Sequence, residues 1–423
     1  MERLHEGSSG ALARALARKI GRDLEERGKE REAGLPTAIE RLDVGSLDRS
    51  IEVALICANR VREERDSAPA RLAELLARPV VDRETAVVVN PRYQDYTLAS
   101  YILERCSKAV FHDPALAREL ARLARAIAVQ TDPTTCGGAA ALADLEAYAL
   151  GVEGNALRVA GELRDALVAF MQAREVQEKG GADPDLSGRI DLMEASLRRD
   201  IRQFGTALAL LDRAIATFTA LRDREQTALA MINRANVFLV QRDLEMVIST
   251  LKQALPLAED SWLGLVVRHN LIMALADCGQ AREAAELYEQ SRSLYLQFPD
   301  PLTTNRRLWT EGLIARELGD LEAAHRLLSE AAERLAEQGY GFDAALAGLD
   351  LVAVYAKQGN ADEVLRVASH LIRLFQLHNV QPEALAALRM VQEATQHKVL
   401  DQAILAQASE ILRANQIRGA SAV

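Results

Sequence analysis

A frame of small and bulky residues returns about every forty residues, and it constrains this chain more than any other feature of the sequence. It begins at Gly161 with Ala166, Phe170 and Ala173, and recurs as Gly279, Ala284, Tyr288, Ser291 and as Gly319, Ala324, Leu328, Ala331. Weaker copies start at Arg202 (Ala207, Leu211, Ala214), Arg242 (Val247, Leu251, Ala254) and Gly359 (Val364, Ala368, Leu371). The six markers are spaced by 41, 40, 37, 40 and 40 residues. A small residue, a bulky one about one turn on and another small one share a single helical face, so two antiparallel helices can approach closely there. The marker supplies the turn between them. After it, Asp320-Leu321-Glu322 and Asp243-Leu244-Glu245 place acidic residues at a helix start, where the dipole favours them. Each copy therefore reads as one helical hairpin, and hairpins of this kind bury a continuous core only by stacking.

Composition agrees with an all-α chain. Aromatic residues make up 4% and apolar residues 49%, with Ala and Leu prominent, which favours helices over sheets. The 51 Lys and Arg against 61 Asp and Glu give a net charge of −10, a poor match for nucleic acid or an anionic membrane. No apolar run is long enough to cross a bilayer and MERLHEGSSG has no apolar signal core, so the expectation is a cytoplasmic protein. Cys57, Cys106, Cys136 and Cys278 are scattered, without CxxC spacing, and read as reduced, mostly buried thiols.

The frame resembles the tetratricopeptide repeat (TPR) family, whose helix B carries A-x3-F-x2-A after a turn glycine. Gly154 and Gly312 sit seven residues before their turn glycines, where helix A of a TPR has its small residue. A period near forty, longer than the usual TPR, is similar to the long-helix arrays of bacterial MalT-like and Rap-like regulators. HEAT-type repeats share the length but lack the Gly–Ala–aromatic frame. The resemblance implies a right-handed, superhelical solenoid of antiparallel helix pairs, with helix A of every repeat lining a concave groove. It places Asn155 and Arg158 in that groove from the first copy, Arg189, Ser196 and Arg199 from the second, and Asn236 from the third. The fourth contributes His269 and Asp277, and the fifth Arg306, Trp309 and Arg316, with Leu308 at the usual core position beside Trp309.

The array is expected over residues 96–415, clearest over 147–375. Upstream, Tyr101 to Val110 reads as a helix, followed by Asp113 as cap, Pro114 in the first turn and an Ala/Leu-rich helix. Downstream, Pro382 to Gln396 and Val399 to Ala414 form a more polar closing pair, and residues 416–423 a frayed tail. Residues 1–95 read as a separate helical region of no assigned family: a charged helix over Ala11 to Arg31, a loop over Gly34 to Ser46, and helices over Leu47 to Glu64 and Pro69 to Arg78. Pro79 and Pro91 mark boundaries, and Val87-Val88-Val89 suits a short strand or a helix equally.

Catalytic signatures are missing. No HExxH, GxxxxGK[ST], GxGxxG or GxSxG string occurs, and the seven histidines are dispersed, so neither an enzyme nor a bound cofactor is expected. Asp183, Asp185, Ser187, Asp191 and Glu194, with Gly188 at the sixth position, echo an EF-hand calcium loop. Against this stands the repeat frame, which makes Arg189 to Arg198 a regular helix with the apolar stripe Leu186, Ile190, Met193, Leu197; a calcium loop and a helix cannot share one backbone. No metal is therefore expected.

Five arginines and two asparagines on the implied groove reverse the sign of the chain locally. Arginine forks suit carboxylates, and an asparagine amide can hold a peptide backbone through donor and acceptor together. The expected function is a protein-interaction scaffold or adaptor that takes an acidic or extended partner segment in the groove. A peptide- or ligand-responsive sensor of Rap or MalT-like type is the alternative, and the N-terminal helices are available for self-association.

Overall fold

A computed structural model describes residues 62–110, 113–136, 138–259, 261–377, 382–401 and most of 403–412. The helix expected over Ala11 to Arg31, the loop after it, most of the helix from Leu47 and the tail lie outside the described residues. All regular structure among the described residues is helical. The chain divides into two compact units, Met1–Ser187 and Gly188–Val423.

In the first unit, residues 62–76 form α1. It runs straight through Pro69, where the sequence places a helix start, and Ser67 and Arg71 side chains donate to the Glu64 carbonyl in the turn that the proline loosens. Beyond Pro79 comes α2 (Val80–Val89), so the valine triplet is helical. Next is α3 (Tyr96–Ala109), which starts five residues before the expected point because Asp95 caps it by accepting from the Leu98 N–H. Asp113 caps α4 (Pro114–Gln130) in the same way, with proline in the first turn as anticipated. The unit continues with α5 (Ala139–Val159) and α6 (Leu163–Gln177), each helix packed on its predecessor, while α2 lies on α4.

The next helix is α7 (Pro184–Asp200). The second unit then holds α8 (Phe204–Ala220), α9 (Arg224–Gln241), α10 (Leu244–Ala254), α11 (Trp262–Asp277) and α12 (Ala281–Gln297). It goes on through α13 (Pro301–Leu318), α14 (Leu321–Glu337), α15 (Gly341–Lys357), α16 (Ala361–Leu377) and α17 (Pro382–Gln396). The short helical pieces from 403 to 412 occupy the place expected for the last helix. Consecutive helices pack pairwise, and first helices of successive hairpins also touch, α11 on α13 and α13 on α15.

All eighteen frame residues are buried, none more than 5% exposed. The six markers share one backbone state: φ is +83° at Gly161, +61° at Arg202, +62° at Arg242, +77° at Gly279, +88° at Gly319 and +68° at Gly359. At each, the marker N–H bonds the carbonyl three residues back and the following N–H bonds the one five back, the paired closure of a left-handed helix end. Arg222 and Gly339 repeat this at the far end of second helices, so the left-handed residues beat every twenty positions along 202, 222, 242 and 319, 339, 359. The one short interval, from 242 to 279, has a local cause: Pro256 cuts α10 to 11 residues and a 3-10 turn, Leu255–Leu257, follows.

An L-residue with a β-carbon pays for the left-handed region where glycine does not. Arg242 is exposed there, at φ 62° and ψ 25°. Arg242→Gly is expected to stabilise the second unit by ~0.5–1 kcal/mol after the added freedom of glycine in the unfolded chain is counted. A urea midpoint that stays still or falls would count against this.

Hairpin closure rests on glycine. A β-carbon at Gly154 would lie 3.0 Å from the Phe170 ring, at Gly188 2.8 Å from Phe218, at Gly312 2.8 Å from Leu328, and at Gly348 2.5 Å from Leu371. The first and third pairs sit seven residues before the turn and nine after it. The other two lie further from their turns by comparable steps on both helices, as an antiparallel register requires.

Candidate functional site on the first helices

In the first unit, α5 carries Asn155 and Arg158. Arg158 is 2% exposed, and its Nε donates to Asn155 Oδ1 at 2.9 Å. The Asn155 amide nitrogen makes no hydrogen bond among the described residues, and the side chain is half-buried.

In the second unit, α7 carries Arg189, Ser196 and Arg199. Arg199 is 2% exposed and paired with Asp200 at 2.8 Å, and Ser196 turns inward to the Leu192 carbonyl. Arg189 is half-buried and engaged. On α9, Asn236 is half-buried, and its amide forms no hydrogen bond among the described residues.

Four of the remaining groove residues fall in two polar clusters, His269 and Arg306 in one and Trp309 and Arg316 in the other. His269 Nδ1 lies 3.0 Å from Tyr295 Oη and 3.2 Å from Thr310 Oγ1. Burial, reinforced by the Arg306 charge and opposed by Asp343, holds its pKa down to about 3, so the ring is neutral at ordinary pH. Burial likewise raises the Tyr295 phenol. Arg306 Nε donates to Asp343 at 2.9 Å. Asp350 accepts from two partners, one per oxygen: Trp309 Nε1 at 2.7 Å and Arg316 Nη1 at 2.5 Å, while Arg316 Nε holds Glu317 at 2.8 Å.

Trp309 is accordingly 3% exposed and tied between α13 and α15, while Leu308, beside it, is the less buried of the two. Asp277 is also engaged. Asp343 and Asp350, one in each cluster, are not among the groove residues expected from the sequence. The signal for them was two aspartates seven apart on one helix, one repeat after Arg306 and Arg316, which they pair with respectively. Chemically, the α13–α15 part of this face joins one repeat to the next.

The calcium reading does not survive. Asp185, Ser187, Asp191 and Glu194 all lie within α7, and Asp183 caps its start by accepting from the Asp185 N–H. Nine residues of helix span ~13.5 Å, so Asp185 and Glu194 cannot both reach an ion at ~2.3–2.6 Å. Asp191 instead receives both Nε and Nη2 of Arg213, and Glu194 holds Arg198. Among the described residues no cluster of His, Cys, Asp and Glu is placed to hold a metal. Cys106 is buried and its thiol is pushed up to about 12, whereas Cys136 and Cys278 are only half-buried. Cys57 lies outside the described residues. No helix among those residues is long and apolar enough to cross a membrane.

Neither a family model nor a curated protein matches the sequence. Solved structures do match the fold. A Rap protein crystallised with competence and sporulation factor aligns over 75% of this chain and 87% of its own, at 15% identity and a TM-score of 0.53. This is a TPR-like helical repeat fold. The apo form of RapI agrees, covering 74% of this chain and 85% of its own at 12% identity and a TM-score of 0.54. The likeness to the Rap structures extends across most of both chains, which suits the stacking of hairpins seen here.

Proposed function

We propose that this helical repeat protein is a non-enzymatic adaptor or regulator that binds an extended segment of a partner protein on the first helices of its second unit. The observation that carries the reading is the open amide capacity of Asn236 on α9. It stands half-buried on a first helix, and its amide makes no hydrogen bond among the described residues. An extended peptide presents backbone carbonyls and N–H groups at a spacing that such amides bind well. Support by analogy comes from the similar Rap structure solved with competence and sporulation factor. The arginines contribute differently. Arg158 and Arg199 are each 2% exposed, so charge reversal there would break packing before it tested binding.

Panning a phage-displayed peptide library against the full chain tests the proposal. Extended segments should be enriched by the native protein and lost with Asn236→Ala, while the urea midpoint stays in place. No enrichment, or enrichment indifferent to Asn236, would overturn it.

A further inference from the structure

Exposed apolar side chains gather in the first unit. On the ten-residue α2, Val80, Val81, Val88 and Val89 are all more than half exposed, Val81 at 83%, and only Ala86 and Val87 are buried. Val129 on α4 and Val168 on α6 are also more than half exposed. Val88, Val129 and Val168 line one open cavity of about 650 Å³ between α2, α4, α5 and α6. A second of about 430 Å³ adjoins it and shares Glu84, Arg118 and Arg122. Together they form a trough.

Its charges are incompletely matched. Arg118, Arg122 and Arg125 follow one face of α4 with Val129, a row of twelve residues whose eleven steps cover ~16 Å. Arg122 reaches Glu153 through Nε at 2.8 Å and Arg125 reaches Glu146 through Nε at 3.2 Å. These one-point pairs fix each guanidinium and leave its outer two-nitrogen edge without a partner among the described residues, the edge that grips carboxylates. The complementary acids are on α2, where Asp82 and Glu84 make no side-chain hydrogen bond or ion pair among those residues. With ten residues, α2 is ~15 Å long, the length of the arginine and valine row.

We infer that this trough is a self-association surface, in which α2 of a second copy lies along α4. Its Val81 and Val88 meet Val129 and Val168, and its Asp82 and Glu84 meet the open edges of Arg122 and Arg125. A surface holding both halves of the match is what a two-fold, isologous contact uses, each copy giving α2 and receiving it. The committed occupant is a second copy because the valines and acids of one helix complement a row of the same length on the same chain.

Sedimentation velocity of the full chain tests this. At tens of micromolar the native protein should run at twice its 46.3 kDa. Val81→Asp plus Val88→Asp should raise the dimer dissociation constant by roughly tenfold or more with helicity and thermal midpoint unchanged, both sites being exposed. Glu84→Lys should weaken the dimer through charge alone, most clearly at low salt. A native monomer at 100 µM, or a dimer indifferent to all three changes, would overturn the inference. So would a lowered thermal midpoint in the valine variant at unchanged mass, which would mean that the chain itself covers the patch.

Discussion

Asp350→Ala is expected to destabilise the second unit by ~3–5 kcal/mol, a sizeable share of the stability of an ordinary domain. Two donors lose their acceptor at once, Trp309 Nε1 and the Arg316 guanidinium, whose side chain is 9% exposed. Glu317 still holds Arg316 Nε, which keeps the cost toward the lower end of that range. Asp350→Asn retains an acceptor for one donor and should cost about half as much. The double change Arg316→Met with Asp350→Leu removes the buried charge together with its partner, and should cost less than Asp350→Ala alone. Urea denaturation followed by circular dichroism provides the measurement. A midpoint for Asp350→Ala within ~1 kcal/mol of the native protein would show that water replaces the carboxylate without loss.

Phe218→Ala should be comparably severe, at ~3–5 kcal/mol, since the ring is fully buried and its loss leaves a cavity between α7 and α8. The ring lies over Gly188, where a β-carbon would come within 2.8 Å of Cζ. Gly188→Ala alone is therefore destabilising, because it pushes a large side chain in a packed core. Gly188→Ala with Phe218→Ala should cost less than the two single changes added together, as the methyl enters the space the ring vacates. Strict additivity would mean that the two positions do not share that space.

The hairpins were legible from the sequence. Ala166, Phe170 and Ala173 and their five counterparts are buried as the frame implies, and the six markers close helices in the left-handed state even where arginine replaces glycine. Gly154 and Gly312 were readable as small residues of first helices because they keep a fixed distance from turn glycines. Gly188 and Gly348 were not, since they do the same task further along the hairpin, against Phe218 and Leu371. Helix starts were harder than helix existence. Asp95 moved one start upstream, and Pro69 created none, since α1 runs through it.

The candidate site was read less well, and the reason is one of range. Counting back from each turn placed Arg306, Trp309 and Arg316 together on α13, as helical geometry demands. It left out Asp343 and Asp350, which come from the next repeat and neutralise that basic stripe. Fold class and hairpin register follow from short-range rules, such as left-handed turns, aspartate caps and small residues at crossings, which act within about forty residues of chain. Which first-helix side chains stay open is decided by how one repeat stacks on the next. That stacking tied Trp309 to Asp350 and left the Asn236 amide unbonded, because contact across repeats depends on axial offset and rotation that no single hairpin encodes.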